Sequence, residues 1–226
     1  MVKKRKKRKI KFKSILITLF LLLIIASVVY TVSLLRVKTY YVYDNKYLTD
    51  EEVLDILKLN KKSSFLLTNT LTEKAIISKS KRIKDVKIKR TLSLEVKVYV
   101  TEYNVLFYDN EKKKSVIENG TTVDYKYDNS PVLINKIEDK EIYKKFLNKM
   151  NKVDTNILDI ISEIKYVPNG IDKERFLLSM NDGNYVYVTI SKLHKINEYR
   201  SVIDSVENKR GILYLDYGNY FVPKEN

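Results

Sequence analysis

The chain has 226 residues, 43 Lys and Arg against 28 Asp and Glu, a net charge of +15, and no Cys. Without Cys it forms no disulfide, carries no cysteine-linked lipid and holds no thiolate metal site, so its folded parts rely on packing alone. Nine of the positive charges lie within residues 3–13, KKRKKRKIKFK, and the remainder is only moderately basic at about +6.

Behind that run, Ser14 to Leu35 gives 22 residues without a charge. As a helix they reach roughly 33 Å, enough for a hydrocarbon core of about 30 Å. Only Arg36 and Lys38 lie immediately beyond. The charge bias reads as a basic cytoplasmic tail (residues 1–13), a transmembrane helix (14–35) and a chain that continues outside, a single-pass type II arrangement. A nucleic-acid arm is the rival reading of the basic run, although anionic headgroups within reach would compete for it. A cleaved signal peptide is the other rival; its apolar region is shorter, about 7 to 15 residues, and closes on small residues in an A-x-A-like pattern. Here the run ends VVYTVSLLRV.

The outer chain opens with TYYVY, aromatic and β-branched and suited to a strand. Thr49 with Glu52 three residues on forms a capping-box pattern, followed by Val53, Ile56 and Leu57 at helical spacing. KKSSFLLTNT reads as a loop that Phe65, Leu66 and Leu67 should anchor to a core. A second helix is expected in LTEKAIISKS, burying Leu71, Ala75 and Ile76. Val86 and Ile88 alternate with polar residues, and LSLEVKVYV alternates over Leu92, Leu94, Val96, Val98 and Val100, placing five aliphatics on one face, with KRTLS as the hairpin between. Strand, helix, helix, strand, strand makes a small sheet with helices on one face.

From Val105 the pattern changes to short strands with turns at DNEKKK and ENG, an antiparallel meander, and then SPVLIN, where Pro131 suits an edge or a strand's first residue. Ile142, Phe146, Leu147, Met150 and Val153 mark an amphipathic helix, and Asp154 a helix cap. NDGN separates two strand-like runs and signals a hairpin. Leu193, Ile196, Tyr199, Ile203 and Val206 predict one further helix, and GILYLDYGNYFVP closes the chain with β-prone residues and turns at Gly211 and Gly218. No long Pro, Gly or Ser linker interrupts the outer chain, so its two modules, 36–103 and 104–226, meet near residue 103.

Catalytic constellations are missing from the sequence. His194 is the sole histidine and sits between lysines, which suits a solvated side chain. No H-E-x-x-H, P-loop, G-x-G-x-x-G or G-x-S-x-G occurs, and five Gly leave no phosphate-cradling loop. The expectation is a protein that is not an enzyme and needs no cofactor or metal. Eighteen Tyr could meet carbohydrate or peptide, or simply occupy half-buried strand positions. Strand edges held outside a membrane are also docking sites for another strand.

The order of parts resembles the FtsQ/DivIB family of bacterial division proteins. Val98, Val100 and Glu102 in VYVTEYNVLFY are similar to its V-x-V-x-E strand end, VIENGTTV (Val116 to Val123) to its I-D-x-x-G-x-V turn, and SPVL to its L-P-x-L step. MNDGNYVYV resembles its D-G hairpin and GILYLDYGNYFV its closing I-D-L-R strand pair. The sequence departs from the family at KRTLSL, which lacks the usual Pro, at Tyr103 and Asn104 in place of Arg-Pro, and at Tyr217 in place of the closing Arg.

The resemblance implies an α+β fold: a single-pass membrane protein with an extracytoplasmic POTRA domain (β-α-α-β-β, residues 36–103), then a mixed, mainly antiparallel β domain with flanking helices (104–226). It implies a non-enzymatic assembly factor at the division septum that binds FtsL and FtsB/DivIC-type partners outside the membrane, and no nucleic acid or small-molecule substrate. In this family the last strands take the partner as an added strand, which points to Ile212, Tyr214, Asp216, Tyr217, Tyr220 and Val222, with Arg200 as a charged neighbour. An extracytoplasmic sensor or binding module for cell-wall glycan or peptide is the alternative. A polypeptide-transport role feeding a barrel is disfavoured, because no long β-barrel region follows.

Overall fold

The computed structural model describes residues 12–224. The basic tail, apart from Phe12 and Lys13, lies outside the described residues. Helix α1 (Phe12–Leu34) is 23 residues long, and its stretch Ile15–Val32 has a mean hydropathy of 2.8 with none of it buried. By length and composition it can cross a membrane. Its Thr31 hydroxyl donates to Ser27 O at 2.8 Å, so this polar group is satisfied within the helix.

Beyond α1 the chain divides between Thr101 and Glu102 into two compact units. The first carries β1 (Thr39–Tyr43), α2 (Asp50–Ile56), α3 (Thr70–Ile77), β2 (Ile83–Arg90) and β3 (Glu95–Glu102), with a three-stranded sheet in the order β1-β3-β2 among the described residues. β1 and β3 run parallel, Thr39 opposite Glu95. The capping box at α2 forms as its sequence dictates: Glu52 N–H donates to Thr49 Oγ1 at 3.2 Å, and Thr49 N–H to Glu52 Oε2 at 2.9 Å. Val53, Leu57, Ile77, Ile83, Val86, Val96, Val98 and Val100 build its core.

Three expectations for this unit need correction. α3 buries Glu73 and Ile77, whereas Leu71 and Ala75 are exposed and Ile76 is only half-buried. Its rotation is set at the start: Asn69 Oδ1 accepts from Leu71 and Thr72 N–H, and the Thr70 hydroxyl accepts from Ile88 N–H at 3.0 Å. β3 begins only at Glu95, because Leu94 turns to φ 63° and Leu92 projects from the hairpin tip. Phe65 is half-buried, but Leu66 and Leu67 face outward.

The second unit comprises β4 (Val105–Asp109), β5 (Lys114–Ile117), β6 (Thr122–Val123), β7 (Val132–Leu133), α4 (Lys140–Met150), α5 (Thr155–Leu158), β8 (Ile161–Tyr166), β9 (Arg175–Met180) and β10 (Tyr185–Thr189). A 3-10 helix (Ile190–Glu198), α6 (Tyr199–Ser205), β11 (Gly211–Tyr214) and β12 (Tyr220–Pro223) complete it. Among the described residues these strands form a nine-stranded sheet, β12-β11-β10-β9-β8-β7-β4-β5-β6. Pairs β4 with β7, β7 with β8 and β10 with β11 are parallel; the other neighbours are antiparallel. The fold is α+β, as the sequence implied. Pro131 directly precedes β7, which lies inside the sheet.

The helices bring Phe146, Met150, Leu193, Ile196, Tyr199 and Ile203 onto the cluster formed by Ile164, Phe176, Leu178, Val186, Val188 and Leu213. Phe146 stacks on Phe176 with ring centroids 4.5 Å apart. The helix expected from Leu193 to Val206 is instead a 3-10 helix that passes into α6 at Tyr199. Ile190, Leu193, Ile196 and Tyr199 recur at every third residue and are all buried. Three residues per turn align that spacing on one face, which an α-helix would rotate away. Asp154 makes no side-chain cap; its N–H instead donates to Asn197 Oδ1 at 2.9 Å.

Candidate strand-docking edge and open aromatic face

The closing strands sit at one margin of the large sheet. β11 lies between β10, which it parallels, and β12, which it opposes; β12 is the outermost strand. Gly211 permits this pairing, since a Cβ there would stand 2.2 Å from Val222 O and 2.9 Å from Pro223 Cα. It was expected to mark a turn and instead marks a close approach of two backbones. Gly218, in the connecting turn, leaves room for the Tyr220 ring, 2.7 Å from where its Cβ would lie.

Backbone direction follows from one bond. Lys224 N–H donates to Arg210 O at 2.8 Å, one step beyond the Gly211–Pro223 pair. Antiparallel ladders alternate bonded and non-bonded pairs. Val222 and Tyr220 therefore turn their backbone groups toward Ile212 and Tyr214, whereas Phe221 and Pro223 turn theirs outward. Since proline has no N–H, the free margin of β12 presents the Phe221 N–H as donor and the Phe221 and Pro223 carbonyls as acceptors. Pro223 shortens the template and limits unselective pairing.

Side chains alternate the other way. Leu213 and Phe221 pack on the core, and Ile212, Tyr214, Tyr220 and Val222 lie on the sheet face away from the helices. Strand registers align Lys165, Leu177, Tyr187, Tyr214 and Tyr220 in one row across that face, and Glu163, Ser179, Tyr185, Ile212 and Val222 in the next. In the first row Tyr187 stacks on Tyr214 at 5.5 Å and Tyr214 on Tyr220 at 4.9 Å. The Arg175 guanidinium lies over the Tyr187 ring at 3.8 Å. Tyr220 is 50% exposed and Val222 45%, so both rows end in solvent at the open margin.

The remaining expected site residues play different parts. The Asp216 side chain is enclosed and accepts from Arg175 Nε at 2.8 Å, while its carbonyl accepts from Lys192 Nζ at 2.9 Å. Burial pulls the Arg175 pKa down, but the hydrogen bond and charge of Asp216 outweigh it and leave the group raised and fully charged. Asp216 thus fixes the turn from within. Tyr217 is 54% exposed beside that turn, and Asn169 Nδ2 donates to its hydroxyl at 3.2 Å. Arg200 belongs to the helical layer, where it lines a cavity of about 400 Å³ with Asp182, Tyr199, Asp204 and Asn208, and does not share the open face. The Tyr199 hydroxyl donates to Asp182 Oδ2 at 2.7 Å; burial and that carboxylate hold its pKa far above the ordinary tyrosine value.

Sequence reading did not single out Tyr185, Tyr187, Arg175 or Phe221. The alternation in NYVYVT does put the two tyrosines on one face, but their meeting with β11 depends on a parallel crossover through α6. His194 is exposed. Among the described residues, no cluster of three or more His, Cys, Asp or Glu could hold a metal ion.

Residues 35–103 match the family described as "POTRA domain, FtsQ-type". Over nearly its whole length the chain is similar to proteins named "Cell division protein DivIB". The one from Bacillus anthracis is 28% identical, covering 96% of this chain and 85% of the relative. That from Listeria monocytogenes is 27% identical, covering 97% and 84%. That from Bacillus subtilis is 26% identical, covering 97% and 87%. Among solved structures, the major extracytoplasmic domain of DivIB from Geobacillus stearothermophilus, in its trans isomer, matches 48% of this chain and 97% of its own at 21% identity, with a TM-score of 0.39.

Proposed function

The chain belongs to the FtsQ/DivIB family of non-enzymatic bacterial cell division proteins, and on that premise we propose that it anchors in the cell membrane by α1 and docks partners on its outer part. Its N-terminus is cytoplasmic, its two folded units lie outside, and it gathers at the division septum. The partners are membrane-anchored coiled-coil division proteins of the FtsL and FtsB/DivIC type. One of them adds a strand to β12 and lays alternate side chains over Tyr214, Tyr220 and Val222. Domain limits at 36–103 and 104–226 are part of the same proposal.

The observation that carries this reading is the open margin of β12 bordered by an exposed aromatic row. A partner strand gains main-chain hydrogen bonds at such an edge and draws selectivity from side chains. The test compares two substitutions at one residue, with the full chain in nanodiscs and the partner's outer segment in solution. Phe221→Ala removes the ring but keeps the outward N–H; Phe221→Pro removes the N–H as well. Strand addition predicts about tenfold weaker binding for Phe221→Pro than for Phe221→Ala, the scale of one lost hydrogen bond at a sterically blocked edge. Equal affinities would argue against it.

The exposed rings of Tyr185 and Tyr220 favour a second reading, a face that stacks on cell-wall glycan or peptide. It gains ground if the two Phe221 variants bind the partner alike and a soluble wall fragment raises the melting midpoint of the chain.

A further inference from the structure

The end of the first unit nearest α1 is built unlike the rest of it. Leu35, one residue past α1, accepts at its carbonyl from Phe65 N–H at 3.0 Å. Val37 N–H donates to Ser63 O at 3.3 Å, Arg36 pairs with Ser64 as an isolated bridge, and the Arg36 guanidinium reaches Lys62 O. The loop 60–67 is therefore tied to the foot of the apolar helix. Lys38 N–H donates to Leu94 O at 2.9 Å, which brings the β2–β3 turn to the same end. Arg90 at the base of that turn donates to Phe65 O and Leu66 O, at 3.3 and 2.9 Å, and locks the two loops together.

Two opposed kinds of side chain project from this end. Leu67 is 64% exposed, Leu71 81%, and Leu92 is fully exposed at the hairpin tip. Lys38, Lys61 and Lys62 on the same segments are exposed, while Lys89 reaches back over the Tyr99 ring at 5.1 Å. A soluble tip has no reason to carry bare leucines on the same loops as exposed lysines. A bilayer interface accepts both, with leucine below the headgroups and ammonium groups among the phosphates.

We propose that this end of the first unit lies on the outer surface of the same bilayer that α1 crosses, with Leu66, Leu67 and Leu92 dipping into an anionic interface. The inference rests on the reading of α1 as a membrane anchor. The hydrogen bonds that the Leu35 carbonyl accepts and the Lys38 N–H donates hold both loops within a few residues of where the chain leaves the hydrocarbon, so the surface meets them without any rearrangement. Docking fixes the tilt of the first unit over the membrane and removes the swivel that a lone helix would permit.

The chain has no Cys, so a single introduced one reports its own surroundings. Ser93→Cys places a fluorophore beside Leu92 and leaves that leucine in place. Ile24→Cys reports on the anchor, and Lys81→Cys on the far end of β2, about 25 Å away along the strand. Each is measured in the full chain, reconstituted into phosphatidylcholine vesicles with and without phosphatidylglycerol, against aqueous iodide and spin-labelled lipids. The Ser93 probe is expected to be severalfold less quenched by iodide than the Lys81 probe, and quenched by shallow spin labels, most strongly in anionic vesicles. Replacing Leu66, Leu67 and Leu92 together with Ser, all at exposed positions, should abolish that protection. Equal iodide quenching at Ser93 and Lys81, with Ile24 still reached by deep spin labels, overturns the docking and leaves the anchor standing. An Ile24 probe open to iodide overturns the anchor and the docking with it.

Discussion

Glu73 shows how one residue can oppose the element that carries it. The first turn of α3 suits a carboxylate, yet the rotation imposed by Asn69 and Thr70 buries Glu73 to 3% exposure. Its Oε1 accepts from Thr72 Oγ1 only at 3.4 Å and its Oε2 is without a partner. Burial raises its pKa, against a smaller lowering by Thr72. The folded unit therefore binds this proton more tightly than the unfolded chain does. Its stability contribution is greatest in acid and is lost as pH rises from the ordinary carboxylate value, about 4.3, through the raised folded one. Glu73→Gln should stabilise the first unit at neutral pH by about 1 kcal/mol, the scale of an unsatisfied buried polar group. Near the ordinary carboxylate pKa the variant and the parent should match. Hydrogen exchange of the β3 amides measures both, and a variant no more stable at neutral pH would show that the carboxylate is not strained. Asp216 is the contrasting case, a buried carboxylate satisfied by Arg175.

At the scale of elements, spacing decided what formed, and neighbours decided its phase. The capping box at Thr49 acts within a single turn and was legible from four residues. The burial face of α3 was not, because it depends on Ile88, which lies on another element. Tyr214 makes the same point at the candidate site. From sequence it belongs to a closing strand and could have been the free donor. In the sheet its backbone is already spent on β12, and β11 is an interior strand. Tyr214→Pro should thus detach β12 and lower the melting temperature of the second unit, where Phe221→Pro leaves the β11–β12 ladder whole. Circular dichroism melts of the two variants distinguish them; an undisturbed Tyr214→Pro unit would overturn the assignment of β12 as the edge.

For the whole molecule, the consequence of an apolar helix behind a basic run is sidedness. In bacteria stripped of their wall, added protease should digest everything beyond Leu35 and spare a small membrane-held fragment, detected through an N-terminal tag. A protected C-terminal portion would reverse the proposed orientation. No feature of the fold is needed to state this expectation, since the transfer of charge across hydrocarbon is costly whatever the outer chain becomes.

The sequence by itself determined the apolar helix, the β-α-α-β-β order of the first unit, the meander at Val105–Val123 and the D-G hairpin. Each rests on contacts within a few residues, or on a hydrophobic period that a short stretch carries whole. Tertiary structure alone decided which strand ends the sheet, that Asp216 turns inward to Arg175, that Tyr187, Tyr214 and Tyr220 share a row, and that the loops carrying Leu66, Leu67 and Leu92 are tied to each other and to the segment after α1. Those outcomes depend on register and crossover between segments far apart in the chain. Alternation tells which residues share a strand face, but not which strand comes to lie alongside.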